Sequence, residues 1–268
     1  MTQNTNFQKN VSSGFAKLDE MTGGWHAGEF AIIAGRPAMG KTALAHCMAL
    51  NMAVDYGCAV AYFSLEQSNV QTVKRMVKLG DWKTIPDEKH EGRLRTISPM
   101  FYDVPLFIDD TSALSKLEFC EKCRKLKSEN NIKVVIIDYL QLMNWSGRGK
   151  GYEQELLEIA QALKAIAEEL NITVIAFSQM DRSVDKRTGG RPVVSDLLYG
   201  GFEQYADTIL LLYRPEYYRI YEDSEGVSLK GIADIIVAKN RNGVLGDARL
   251  RFNQEIPKFE NIEEWNNI

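Results

Sequence analysis

Eight consecutive residues, Gly35-Arg36-Pro37-Ala38-Met39-Gly40-Lys41-Thr42, fit the pattern GxxxxGK[ST], with Ala43 next in line. In such a loop the glycines let the backbone wrap closely around phosphate oxygens. Backbone N–H groups and the positive end of the following helix supply compensating charge, and the lysine reaches the β- and γ-phosphates. The hydroxyl of Thr42 would then hold Mg²⁺. The segment follows the apolar run EFAIIAG and opens an amphipathic stretch, the strand–loop–helix context that the motif requires. Binding of ATP with Mg²⁺ is the chemistry expected here.

Four further segments bear on that chemistry. KVVIIDYLQLM ends an apolar strand on Asp138, which puts a carboxylate at the C-terminal edge of a parallel sheet, where ligands of such folds bind. Beside a phosphate loop it is expected to help hold the Mg²⁺. AVAYFSLEQS puts Glu66 just beyond another strand, where it could act as general base towards the attacking water or be a solvated surface charge. Gln179 ends ITVIAFSQ and is either a sensor of the γ-phosphate or a polar strand terminus. In Lys239-Asn240-Arg241-Asn242-Gly243 the two basic side chains share one face of a strand. They read as a finger reaching a phosphate or as the charged protection of an edge strand.

These residues need a scaffold. Short β-rich runs (EFAIIAG, AVAYFS, PLFID, KVVIIDY, ITVIAFS, DTILLLYR and IADIIVAK) alternate with amphipathic segments, which predicts an α/β fold with a mostly parallel central sheet flanked by helices. Helices are expected over 41–56 and 152–170, the second with Leu156, Ala160, Leu163, Ala167 and Leu170 in one core-facing stripe. ADIIVAK and DARLRFN around RNGVLG predict a C-terminal β-hairpin. Two stretches rich in Gly and charge, NWSGRGKGYEQ and MDRSVDKRTGGRPVVSDLLYGG, are expected to be loops. At 268 residues the chain suits one domain, with residues 1–10 as a flexible start.

Composition limits the choices. The longest apolar runs are too short to cross a bilayer and the N-terminus has no signal core, so no membrane contact and a cytoplasmic location are expected. A net charge of −4 offers no global attraction to nucleic acid, so any such contact must come from a local basic patch. Cys120 and Cys123 form half of a metal or redox pattern, but their helical context makes them neighbours on one helix face. His26, His46 and His90 show no metal spacing.

Taken in order, TGGWHAGEFAIIAGRPAMGKTALA, FSLEQS followed by Arg75, VVIIDYLQL, FSQMDRSVDKR with RPVVSDL, FEQYAD, and KNRNG resemble the motor domain of the DnaB-type replicative DNA helicases. The resemblance runs from about Val11 to about Phe259. It implies a RecA-like P-loop NTPase fold, a homohexameric ring with ATP between subunits, translocation on single-stranded DNA, and other replication proteins as partners. It also implies roles: Glu66 as catalytic glutamate, Gln179 as coupling glutamine, Lys239 and Arg241 as the pair reaching the neighbour's ATP, and Arg75 near the same interface. Arg182, Lys186, Arg187 and Arg191 are the candidates for DNA phosphates.

There are departures. The family's N-terminal collar and linker helix have no counterpart in these residues, so a fragment or a protein reduced to the motor is expected. After Asp196, where the family has a basic residue, an acidic one and a glycine, the chain reads Leu197-Leu198-Tyr199-Gly200-Gly201 and is one residue shorter, which weakens the expectation of DNA contact there. A RecA-like recombination or repair ATPase, and an ATP-driven switch acting on a protein partner, are the competing readings.

Overall fold

The structure, a computed structural model, describes residues 10–80, 104–112, 114–143 and 151–262. The expected flexible start, apart from Asn10, and residues 144–150 of the first Gly-rich loop lie outside the described residues.

Nine strands form one sheet: β1 (Phe30–Gly35), β2 (Val60–Ser64), β3 (Leu106–Asp109), β4 (Val134–Asp138), β5 (Thr173–Gln179), β6 (Thr208–Tyr213), β7 (Ile232–Asn240), β8 (Gly246–Asn253) and β9 (Lys258–Asn261). Their order is β3-β2-β4-β5-β1-β6-β7-β8-β9. The strands from β3 to β6 are mutually parallel, whereas β7, β8 and β9 are added antiparallel. Every residue of β1, β2, β4 and β6 is buried, which explains why these strands read as unbroken apolar runs rather than as alternations.

Alternate residues serve opposite faces. Ile33, Tyr62, Ile136, Phe177 and Leu210 share a core with Leu18 and Met21 of α1 (Ala16–Thr22), Leu44 and Met48 of α2 (Lys41–Leu50), and Val73 and Met76 of α3 (Asn69–Leu79). Ile32, Phe63, Ile137, Ala176 and Leu211 share the other with Phe119 and Cys123 of α4 (Lys116–Asn130) and Leu156, Ile159, Leu163 and Ile166 of α5 (Tyr152–Leu170). Cys123 thus belongs to the core, with burial pushing its thiol pKa up. A π-helical turn over Asn51–Asp55 extends α2 to nearly the expected length. Ser68 and Ser115 start α3 and α4 with reciprocal capping boxes to Gln71 and Glu118.

The hairpin of β7 and β8 forms as expected, and β9 is an addition the sequence reading lacks. The second loop is irregular but packed: a 3-10 turn covers Arg182–Lys186, and Val184 and Leu197 are buried. No helix among the described residues is long and apolar enough to cross a membrane.

Parallel pairing fixes where the chemistry falls. Gly35 lies opposite Gln179 and Ser64 opposite Asp138, so the phosphate loop, Asp138, Gln179 and the chain leading to Glu66 share one edge of the sheet. Because β7 runs the other way, Asn240 pairs with Thr208 at the start of β6, on the opposite edge.

Candidate active site

The phosphate loop leaves β1 at Gly35 and enters α2 at Lys41. Gly40 has a φ of 100°, and a Cβ there would lie 3.1 Å from the ring of Phe259 on β9, so both conformation and space favour glycine. Ala38 also takes a left-handed φ of 63°. Lys41 is buried and donates from Nζ to the carbonyls of Gly35 at 2.9 Å and Arg36 at 3.1 Å. Burial lowers its pKa to about 8, against the opposing pull of the charges of Asp138 and Glu66.

Asp138 is 3% exposed. Its Oδ2 accepts a hydrogen bond from the Tyr62 hydroxyl at 2.9 Å, while its buried Oδ1 has no hydrogen-bond partner. Burial raises its pKa, while Tyr62 and then the Thr42 hydroxyl act to lower it. A buried carboxylate oxygen without a partner, beside a threonine hydroxyl, is a hard all-oxygen donor set that fits Mg²⁺. Tyr62, hidden in an apolar run, is a positioning residue the sequence reading did not single out. Its neighbour His46, 5.4 Å away between ring centroids, has its pKa lowered to about 3 by burial and so is neutral.

Glu66 is exposed, two residues past the end of β2, and its charge acts on Lys41, Asp138 and Tyr139, so it stands within reach of the same pocket. Gln179 bonds through its side chain to Tyr139. Its backbone N–H donates to Oε1 of Gln141 at 3.2 Å, and Nε2 of Gln141 donates to Ser178 at 2.8 Å. Gln141 therefore ties the end of β5 to the segment after Asp138, a link suggested only by its place in IIDYLQL. Arg75 is exposed on α3, with its charge acting on His46 and Tyr62.

The basic pair lies elsewhere. Nζ of Lys239 donates to the Glu203 carbonyl at 3.0 Å, and Nη1 of Arg241 donates to Oδ1 of Asp207 at 2.9 Å. Burial, then the charge of Arg241, lowers the Lys239 pKa. Asp207, which also accepts from Lys164 and from the N–H of Phe30, holds this corner together.

The second loop divides its charges. Arg187 makes a bidentate pair with buried Asp196, at 2.7 and 3.0 Å. Nη2 of Arg191 donates to both carboxylate oxygens of Asp247, at 2.7 and 2.6 Å. Both guanidinium groups thus brace the loop, whereas Arg182 and Lys186 are exposed and make no ion pair among the described residues. In the departing segment, the Leu198 N–H bonds to the Gln179 carbonyl at 3.1 Å. Tyr199 takes a φ of 58° and packs edge-on against Tyr152, with ring centroids 4.7 Å apart.

The family model of the DnaB-like helicase C terminal domain matches residues 10–261. The chain belongs to this family. It is 41% identical to the replicative DNA helicase DnaB of Geobacillus stearothermophilus, over 94% of this chain and 57% of that protein. It is 40% identical to the replicative DNA helicase DnaC of Bacillus subtilis, with the same coverages. The chain therefore spans little more than half the length of these relatives. Among solved structures, the ATPase domain of G40P superposes with a TM-score of 0.81 at 32% identity, covering 96% of this chain and 93% of that one. A DnaB-like replicative helicase, solved in a study of its interactions with primase, gives 0.81 at 34% identity, covering 95% and 62%. A KaiC-like protein of Pyrococcus horikoshii, with a TM-score of 0.65 at 18% identity over 95% and 99%, shares the fold. The sheet order and helical layers of this DnaB-like domain are thus those of the RecA-like fold.

Proposed function

We propose that this chain is the Mg²⁺-dependent ATPase motor of a replicative DNA helicase, working in the cytoplasm as a homohexameric ring that moves on single-stranded DNA and unwinds duplex. The observation that carries the reading is the split site: the phosphate loop, Asp138 and Glu66 share one edge of the sheet, whereas Lys239 and Arg241 sit at the other. A second copy is needed to bring the two halves together. The resemblance to a helicase studied with primase supports replication proteins as partners.

Within the site, Lys41 and the N-terminus of α2 would hold the phosphates, and Thr42 and Asp138 would hold Mg²⁺, which when bound would supply positive charge beside the phosphates. Gly35, Arg36, Pro37, Ala38, Met39, Gly40 and Ala43 shape the loop around them, with Arg75 near the interface.

A lysine whose pKa is about 8 in the free protein gives nucleotide binding a pH dependence. Phosphates favour the charged lysine and raise its pKa, so binding takes up a proton above pH 8 and not below it. Affinity for a non-hydrolysable ATP analogue is expected to be level from pH 7 to 8 and then to fall by up to about tenfold per pH unit. Calorimetric titrations at several pH values check this; constant affinity through pH 9 would contradict it.

Arg182 and Lys186 are the cations of the second loop without an ion pair among the described residues, and they supply the DNA contacts while Arg187 and Arg191 hold the loop in shape. Each subunit then offers few phosphate contacts, and the ring adds avidity. Binding to single-stranded DNA is expected to be independent of sequence and strongest with the ATP analogue. Its log–log salt slope should be about −0.7 per phosphate neutralised. Lys186→Ala should flatten the slope with analogue affinity intact, whereas Arg187→Ala should chiefly lower the melting temperature. Absence of salt-sensitive binding by the assembled, nucleotide-bound protein would reject the helicase reading in favour of a switch acting on a protein partner, a reading that uncharged Leu198 and Tyr199 favour.

A further inference from the structure

The second residue of the phosphate loop is tied to the loop that carries Arg182 and Lys186. Arg36 is 7% exposed. Its Nε donates to Oδ1 of Asp185 at 3.1 Å and its Nη2 to Oδ2 at 2.6 Å, a bidentate pair, while Nη1 donates to the Met180 carbonyl at 3.1 Å. Asp185 belongs to the 3-10 turn over Arg182–Lys186, so Arg182 and Lys186 stand on either side of it. Bidentate pairing restricts both the distance and the orientation of the two groups. Displacement of one loop is therefore felt by the other.

The phosphate-loop end of this tie is bound to change when nucleotide enters. Lys41 donates to the carbonyl of Arg36 itself and to that of Gly35, and it must turn from them to reach phosphates. Two other anchors of the cation loop come from residues 213–218, at and past the end of β6. The Tyr218 hydroxyl donates to Oδ1 of Asp185 at 3.1 Å and the Tyr213 hydroxyl to the Gly189 carbonyl at 2.7 Å. The ring of Tyr218 lies so close to Gly190 that a Cβ there would come within 2.3 Å of it. The loop thus rests on a fixed aromatic support and is joined through Arg36 to a segment that rearranges.

We propose that the Arg36–Asp185 pair couples occupancy of the phosphate loop to the placement of Arg182 and Lys186, which makes Asp185 a positioning residue for the nucleotide dependence of nucleic-acid affinity. The inference rests on the reading of those two side chains as DNA contacts. Gln141 and Gln179 offer a second route along the same edge, so loss of the pair weakens coupling without abolishing it.

Coupling between two ligands is reciprocal: the factor by which nucleotide changes DNA affinity equals the factor by which DNA changes nucleotide affinity. Both factors are measured for the full chain with a poly-thymidine strand and a non-hydrolysable ATP analogue, each ligand titrated with and without the other. For the unmodified chain a factor within the usual range of about 5–150 is expected. Asp185→Asn keeps the shape but removes the charge. It should lower both factors equally, by roughly three- to tenfold, while each ligand alone binds within about twofold of the unmodified chain. Asp185→Glu, which keeps the charge, should recover part of the loss. Tyr218→Phe removes only one hydroxyl, leaves Arg36 paired, and should retain most of the coupling; should Asp185→Asn not fold, Asp185→Ala takes its place, and loss of coupling there with retained single-ligand binding supports the tie. Unchanged coupling in Asp185→Asn overturns the inference alone. So does a parallel loss of both single-ligand affinities with lowered melting temperature, which marks a merely structural brace. An unmodified chain that fails to bind the strand overturns the DNA reading and the coupling with it.

Discussion

Replacing Arg241 by Ala is expected to lower steady-state ATP turnover by roughly 10³–10⁵-fold, the range for loss of an arginine finger, while leaving analogue affinity nearly unchanged. The expectation follows from the sheet. The Arg241 N–H bonds to the Asp207 carbonyl, and the Asp207 N–H bonds to that of Phe30, so Arg241 stands at the start of β1. The phosphate loop begins at the other end of that strand, at Gly35. At about 3.3 Å per residue the separation is roughly 16 Å, farther than an arginine side chain extends. Within one chain Arg241 cannot reach the phosphate loop. It is nonetheless held ready, since Asp207 and the carbonyl of Gln204 fix the guanidinium and the Glu203 carbonyl fixes Lys239. In the proposed head-to-tail ring this corner would meet the next subunit's phosphate loop. Mixing Arg241→Ala with Lys41→Ala subunits, each inactive alone, should therefore restore activity, because about a quarter of random interfaces join an intact loop to an intact finger. Mixed assemblies verified by mass yet without recovery would exclude action in trans.

Local features are legible in the amino-acid order, and those built across long separations are not. Strand, glycine turn and helix lie within one continuous stretch at 30–50, so the phosphate loop can be read directly. Asp138 is legible because an apolar strand must end at a sheet edge. The strand β9 is not, for it contributes only four residues with Phe259 as its one buried apolar side chain, and its pairing with β8 decides its structure. Tyr62 is lost in a run where both faces are buried, so alternation gives no signal. The ion pairs of the second loop are tertiary. Arg36 and Asp185 are 149 residues apart and Arg191 and Asp247 56 apart, so counting charges along the loop overstates those left for phosphate. The altered segment at Leu198 and Tyr199 is anchored to Gln179 and Tyr152, contacts that a motif comparison does not reveal.

Glu66→Gln should separate holding ATP from cleaving it. The amide keeps the size and hydrogen-bonding capacity of the side chain but cannot take a proton from water, so turnover should fall by roughly 10²–10⁴-fold, the usual contribution of a general base. Binding of the analogue and of single-stranded DNA should persist, giving a stalled, ATP-bound assembly on its strand. Glu66 is exposed, which is also how a solvated surface charge looks, and Glu121→Gln on the outer side of α4 supplies the comparison. A second readout is independent of turnover. The negative charge of Glu66 helps keep the Lys41 pKa from falling further. Its removal should therefore shift the alkaline loss of analogue binding to lower pH, the direction opposite to that expected from weaker burial of Lys41. Glu121→Gln should move neither turnover nor that pH profile. If Glu66→Gln cleaves ATP within a few-fold of the unmodified chain, the base is another group, and the pH shift alone would then mark Glu66 as an electrostatic neighbour of Lys41 rather than the residue that activates water.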